Sequence, residues 1–489
     1  MATAIPTNRC AFTLGEAASA TAGTMAAGDA AARSTSVSID TRTLERGALF
    51  VALRGETSDG HAYLARAAES GAAAAIVERG RTAAALPCIE VVDTLVALGA
   101  LAAHHLRRVR AGRALPVITI GGAAGKTTTK ELTASAVRVV FGATLATPGN
   151  LNNRIGVPMT IFTLGPEHRA AVLECGTNLR GEIPQLGAIV EPDAAMVLNV
   201  DLEHSAGLGT LEDIADEEAA IFAATRRYAV IPAGDPMLAA RIPARLATLT
   251  FGAAVGADVR LASRIALAGG RSRISFELNP AFVGPGVSAV LTCDIALLGA
   301  AAALNCAAAL AGALALSPDP LSAAQLGAIG DSFAAARPVA RRLEPVTLGG
   351  AFVIDDSYNA QPPSVRVAIA TARETATSLG ARLVIVLGDM LELGAMSPSA
   401  HQEAVRAVLA AHPAVFIATG PETIAALDAV AGSGSASGIA IARARDSARA
   451  GALASAAVRP GDVVLVKGSL GMAMDRVIAA LAAGAEAAR

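Results

Sequence analysis

Three α/β domains in series are the architecture this chain predicts, and three observations carry it. Short apolar runs rich in β-formers recur along the 489 residues, separated by alanine-rich stretches of helical length. One of these runs, Val117 to Ile120, feeds Gly121-Gly122-Ala123-Ala124-Gly125-Lys126-Thr127 and then a helix-like segment, so strand, small-residue loop and helix follow in order. The α/β pattern stands before that loop and restarts far beyond it. The sequence therefore predicts a small α/β domain at 1–113, a central parallel-sheet domain at 114–332 carrying a phosphate-binding loop, and a Rossmann-like doubly wound domain at 333–489.

In the first region, β-like runs at Ala48 to Leu53 and Ala74 to Val77 alternate with a helical stretch from Ala62. Residues before Ser36 are mostly Ala, Gly, Ser and Thr and contain no apolar segment of a secretory signal. Arg107 to Arg113 reads as a helix end or linker before Pro116.

The loop has the spacing GxxGKT, shorter than GxxxxGK[ST], because Ile120 stands where the first glycine of that longer form would fall. Small residues let backbone N–H groups approach phosphates, and the helix dipole favours their charge. Lys126 can then reach the terminal phosphates, and the Thr127 hydroxyl can bind Mg²⁺. Further on, TPGNLNNRIGVP places Asn150, Asn152 and Asn153 in a turn, AAVLECGTN ends a strand on Glu174, and AMVLNVDLEH ends another on Asp201, Glu203 and His204. Ligands of open α/β sheets bind beyond the carboxyl ends of the strands, so these groups should converge on the loop.

From Ile295 to Pro318 there are 24 residues without charge, long enough to cross a bilayer. Its alanine content, Asn305, Gly299 and Gly312 favour a buried helix, and no membrane insertion is expected. In the last region AFVIDDSYN, LVIVLGDM, VFIATG, IAIARA and DVVLVKGS read as strands between helices such as Ser364 to Ser378. A cleft between domains is expected where these strand ends meet.

A net charge of −2 gives no footprint for nucleic acid. Five scattered cysteines never form CxxC, which points to a reducing cytoplasm and away from a structural zinc site. Only Lys126, Lys130 and Lys467 are lysine, leaving 37 of 40 basic residues as arginine. Lysine is thus kept where a compact ammonium is wanted, as at Lys126 and Lys467 in glycine-flanked strand-end loops. Lys130 reads as a solvated or helix-pairing charge.

A Mg²⁺-nucleotide needs hard oxygen ligands beside the phosphates. Glu174 with Thr127 can hold one ion, and His204 with another carboxylate a second. Two ions beside a phosphate cradle suit γ-phosphoryl transfer.

Taken together, DTR with GALFVALRGETSDGH, GKTTTKE, GNLNNRIGVP, ECGTN with GEI, DDSYNAQP, VLGDMLELG and LVKGS resemble the Mur ligase family over nearly the whole chain. DDSYNA and GDMLELG resemble the branch that joins D-alanyl-D-alanine to UDP-N-acetylmuramoyl-tripeptide. The resemblance implies an ATP-dependent, Mg²⁺-requiring amide-bond ligase of the cytoplasm, monomeric, acting through an acyl phosphate in peptidoglycan precursor synthesis. It implies a uridine-nucleotide pocket at Asp40, Thr41, Arg42, Asp59 and His61, and an acceptor loop at Asn150, Asn152 and Asn153. It also implies Mg²⁺ sites at Thr127 and Glu174 and at His204. For ATP it implies Gly122, Gly125, Lys126, Thr127, Thr128, Asn305, Arg342 and Asp356, and for the dipeptide Asn359 and Lys467.

The departures are equally specific. Gly121, Ala123 and Ala124 lack the side-chain donors usual in the family's loop, Ala301 and Ala302 replace its usual His-Asn pair, and Leu470 and Ala473 replace usual basic residues. Where many relatives carry a carbamylated lysine, this chain has Glu218, whose carboxylate is expected to bind the second Mg²⁺ with His204 and without CO₂.

Overall fold

In the computed structural model, which describes residues 3–55, 58–83, 85–431 and 437–487, the strands gather into three sheets. The first comprises β1 (Thr24–Met25), β2 (Ser36–Ser38), β3 (Ala48–Val51), β4 (Ala74–Glu78) and β5 (Cys88–Val91), in the order β1-β5-β4-β3-β2. All of its pairings are parallel except β1 with β5. The helix Thr94–Gly112 leads away from it, so the arginine-rich stretch is a helix end.

The second sheet holds β6 (Val117–Gly121), β7 (Thr144–Ala146), β8 (Ala170–Glu174), β9 (Ala194–Val197), β10 (Tyr228–Pro232), β11 (Ala247–Gly252), β12 (Val259–Ala266), β13 (Ser272–Leu278) and β14 (Val290–Ile295). Its order is β14-β13-β12-β11-β10-β9-β6-β8-β7. It is parallel from β7 to β12 and antiparallel from β12 to β14. The parallel strands β6, β8 and β9 are buried along their whole length, because helices cover both faces, and they read as unbroken apolar runs. In SRISFEL of β13, by contrast, Ser272, Ile274, Phe276 and Leu278 are buried and alternate with more exposed residues, as an antiparallel strand with one wet face requires.

Chain order around β6 decides where a ligand can sit. The strands that follow β6 lie first to its β8 and β7 side and then, from β9 onward, to its other side. This reversal opens a crevice at the carboxyl end of β6, where the glycine loop begins.

The uncharged run forms the helix Gly299–Leu316, nearly all buried, against the helix Lys126–Phe141 that follows the loop. Backbones approach closely there: a Cβ on Gly312 would stand 2.9 Å from Met196 Cε and 3.1 Å from both Ile118 Cδ1 and Thr133 Cγ2. Lys130 pairs within its helix as expected, with Glu131 at 2.6 Å, but it is not solvated. It is fully buried, with Nζ 2.6 Å from the Thr147 carbonyl, because its helix lies on the sheet and turns that side inward.

The helix Ala323–Ala334 closes the central region, two residues beyond the boundary expected at 332. The third sheet has β15 (Glu344–Leu348), β16 (Ala351–Asp356), β17 (Leu383–Leu387), β18 (Val415–Thr419), β19 (Ala440–Ala444) and β20 (Val463–Lys467). Its order is β15-β16-β20-β17-β18-β19, parallel apart from the edge strand β15.

Candidate active site

The loop after β6 turns on two glycines. Gly122 has φ +115°, and a Cβ there would lie 2.9 Å from the Leu198 amide nitrogen. Gly125 has φ +87°, with Asn305 Oδ1 3.0 Å from where its Cβ would be, so only glycine fits either place. Gly125 caps the loop helix with no side-chain partner, which leaves the helix N-terminus and its dipole open to an anion.

The earlier amides of the loop are engaged inside the protein. Gly122 N donates to Glu218 Oε2 at 2.8 Å, Ala123 N to the Asn199 carbonyl at 3.2 Å, and Ala124 N to Asn199 Oδ1 at 2.8 Å. Asn199 Nδ2 returns a bond to the Ala124 carbonyl at 3.0 Å. Asn199 therefore clamps a loop whose own Ala123 and Ala124 side chains can hold nothing.

Lys126 Nζ donates to the Gly122 carbonyl and lies 3.3 Å from Glu203, which is 2% exposed. Burial alone would lower its pKa, but Glu203, Glu218 and Glu174 outweigh that and hold the ammonium above the ordinary lysine value. Glu218 is pushed up to about 8 by burial, with Lys126 opposing the shift and Glu203 adding to it. Glu174 pairs in register with Ile120, level with the start of the loop. Its Oε1 accepts from Asn152 Nδ2 at 2.7 Å.

Three oxygens in this region are buried without any partner among the described residues: Thr127 Oγ1, Glu174 Oε2 and Glu218 Oε1. Each such atom costs about 1–3 kcal/mol if left unsatisfied. A hydroxyl and two carboxylates form an all-oxygen donor set, which fits a hard divalent cation such as Mg²⁺. His204 sits apart from that set. It has φ +45°, and its Nδ1 lies 2.6 Å from Glu392 Oε2 on the loop after β17. No hydrogen bond joins His204 to Glu218 among the described residues, and no group of three or more His, Cys, Asp or Glu there is arranged as a metal cluster.

Known proteins share this chain's sequence pattern and fold. Residues 33–106 match the Mur ligase family catalytic domain, 120–313 the Mur ligase middle domain, and 341–470 the Mur ligase glutamate ligase domain. A UDP-N-acetylmuramoyl-tripeptide--D-alanyl-D-alanine ligase of Escherichia coli K12 is 34% identical over 379 residues, 77% of this chain and 79% of that protein. This chain belongs to the Mur ligase family. MurF from Acinetobacter baumannii superposes with TM-score 0.84 at 28% identity, over 97% of this chain and 99% of that one. MurF of Thermotoga maritima, solved in complex with ADP, gives 0.79 at 25% identity over 93% and 98%.

Against this Mur ligase frame, the remaining expected site residues fall into two groups. Asn305 touches the loop at Gly125, and Thr128 lies in the first turn of its helix. Lys467 Nζ, buried, donates to Asp356 Oδ2 at 2.6 Å and to the Asn359 carbonyl at 2.8 Å, so residues expected to face different substrates are bonded to one another. Burial raises the Asp356 pKa, and Lys467 opposes that shift. The Arg342 guanidinium stacks 4.2 Å from the Tyr358 ring centroid.

In the first sheet, Arg42 forks onto Asp40 with its closest contact at 2.6 Å, which holds Asp40 below its usual pKa, and Thr41 between them is buried. His61 Nδ1 lies 2.7 Å from Asp59, and its Nε2 accepts from the Glu78 amide at 2.9 Å. Hydrogen bonds from His61, and then Arg81, hold Asp59 far below the ordinary range. Asn150 Oδ1 accepts from the Thr3 hydroxyl at 2.6 Å, while Asn153 Oδ1 takes the Ile155 and Gly156 amides at the entry to the helix Gly156–Ile161.

Sequence reasoning missed the parts played by Asn199, Glu203 and Glu392. The first two stand as polar residues after an apolar strand, but the direction of their side chains depends on strand order, which no local pattern encodes.

Proposed function

We propose that this Mur ligase joins D-alanyl-D-alanine to UDP-N-acetylmuramoyl-tripeptide at the expense of ATP, through an acyl phosphate. The observation that carries the chemistry is the buried oxygen set around Lys126, partnerless among the described residues, at the crevice where the strand order of the central sheet reverses. The relatives' names supply the substrates.

Phosphoryl transfer to the tripeptide carboxylate turns a poor leaving group into a good one. The dipeptide amine then attacks the acyl carbon, and the tetrahedral intermediate expels phosphate. Lys126, held charged by its carboxylates, stabilises the charge on the transferring group, and the uncapped helix end binds phosphate. Thr127, Glu174 and Glu218 would hold Mg²⁺, which supplies charge neutralisation on the phosphate oxygens. Glu218 brings its carboxylate without CO₂, and His204, the expected partner at a second ion, is held through its ring by Glu392 of the third domain. Asp40 to Arg42 with Asp59 and His61 bind the uridine nucleotide, Asn150 to Asn153 the acceptor, Arg342 and Asp356 the ATP, and Asn359 and Lys467 the dipeptide. The domains divide near 113 and near 332, and the enzyme works as a cytoplasmic monomer; the five free cysteines agree with a reducing compartment.

The test is phosphate release from ATP by the purified protein with the UDP-tripeptide, with and without D-alanyl-D-alanine, repeated in CO₂-depleted buffer. Release that needs the dipeptide and ignores CO₂ is expected. Release without the dipeptide, or none at all, sinks the assignment, and a CO₂ requirement sinks the part given to Glu218.

A further inference from the structure

The structure assigns Lys130 a positioning role: it fixes the acceptor loop and Glu174 against the phosphate-loop helix. The assignment rests on the ligase reading for its catalytic consequence. Its geometry stands on contacts in the central sheet alone.

Lys130 lies one turn after Lys126 in the same helix and is fully buried, in a chain that otherwise spends arginine on almost every positive charge. Burying an ammonium is costly unless its donors are matched. Its Nζ reaches two acceptors at 2.6 Å, the Glu131 carboxylate and the Thr147 carbonyl. A guanidinium carries five donors in a rigid fork and would leave more of them unmatched there, which explains lysine.

Thr147 is the consequential partner. It follows β7 directly, is 1% exposed, and begins the segment that carries Asn150, Asn152 and Asn153. While its carbonyl accepts from Lys130, its hydroxyl accepts from the Glu174 amide at 2.9 Å. Asn152, five residues on, closes the circuit by donating to Glu174 Oε1. One residue, through its carbonyl and its hydroxyl, thus joins three things: the helix that follows the phosphate loop, the strand end bearing Glu174, and the root of the acceptor loop. Lys130 is the link to the helix, so it couples the place of the nucleotide to the place of the acceptor.

The experiment compares Lys130→Met, Lys130→Arg and wild type by hydrogen exchange and steady-state kinetics. Lys130→Met keeps the stem and removes the ammonium. Exchange is expected to rise at the Glu174 amide and in 147–156, with the helix 126–141 unchanged. The KM for the UDP-tripeptide is expected to rise by about tenfold or more while that for ATP stays within about twofold, as a loosened acceptor loop predicts. Lys130→Arg should not restore either. Unchanged exchange in 147–156, or a rise spread over the whole central sheet, overturns the proposal, as does an equal rise in both KM values. If Lys130→Met does not fold, Lys130→Gln, which also removes the ammonium, carries the same test with the same outcomes. Failure of the ligase reading would show in wild-type phosphate release and leave the exchange result to decide the geometry.

Discussion

The phosphate-loop crevice and the polar cluster of the first sheet were equally visible as motifs, yet they differ in how their polar atoms are used. In the first sheet Asp40 answers Arg42, and Asp59 is shared by His61 and Arg81. Around Lys126, Thr127 Oγ1, Glu174 Oε2 and Glu218 Oε1 have no partner among the described residues, and three carboxylates crowd one ammonium. The first arrangement supports itself, whereas the second is stabilised only when something else supplies charge. A motif gives residue types; the unmatched atoms show which of two motifs keeps its valence for a ligand.

The largest effect should come from Lys126→Met, which removes the cation that the carboxylates hold: dipeptide-dependent phosphate release is expected to fall by about 10³-fold. Retained turnover would break the comparison at its centre. Next is the pH dependence of stability without Mg²⁺. Because burial raises Glu218 to about 8, its contribution is present below the ordinary carboxylate value and is lost as pH rises through about 8. The melting temperature should fall over that window, and Glu218→Gln should flatten the fall; a parallel slope in the variant would contradict it. Glu392→Ala frees His204 and is expected to cost about tenfold in kcat/KM, read alongside solution scattering for the placement of the third domain. The smallest effect belongs to Arg81→Ala in the self-paired cluster, at most about 1 kcal/mol in chemical denaturation, because that ion pair is largely exposed.

Legibility followed the environment of each segment. Strands buried on both faces, such as β6, β8 and β17, announce themselves as apolar runs, and they were read. The antiparallel edge from β12 to β14 was not, since Ser, Arg and Glu alternate along SRISFEL and resemble a polar linker. At the site, Lys126, Thr127 and Glu174 are legible because loop and strand-end position dictate their direction. Glu203 meets Lys126 across 77 residues, Asn199 meets Ala124 across 75, and Glu392 meets His204 across 188. Such contacts depend on strand order, which the local pattern does not encode. Lys130 pairs with Glu131 as a helix charge can, but its burial was not legible: a lysine beside a glutamate on a helix looks solvated until the sheet beneath it is known.

The close seat of Gly312 against Thr133 has a mechanical consequence. Thr133 and Lys126 share a rigid rod, and seven residues of helix separate them by about 10 Å. A side chain at position 312 that wedged the rod by about 5° would swing its loop end by about 1 Å, enough to cost about a hundredfold in a reaction that depends on aligned atoms. The alanine and glycine face of the buried helix is in this sense a bearing surface, and its smoothness sets the aim of a side chain it never touches.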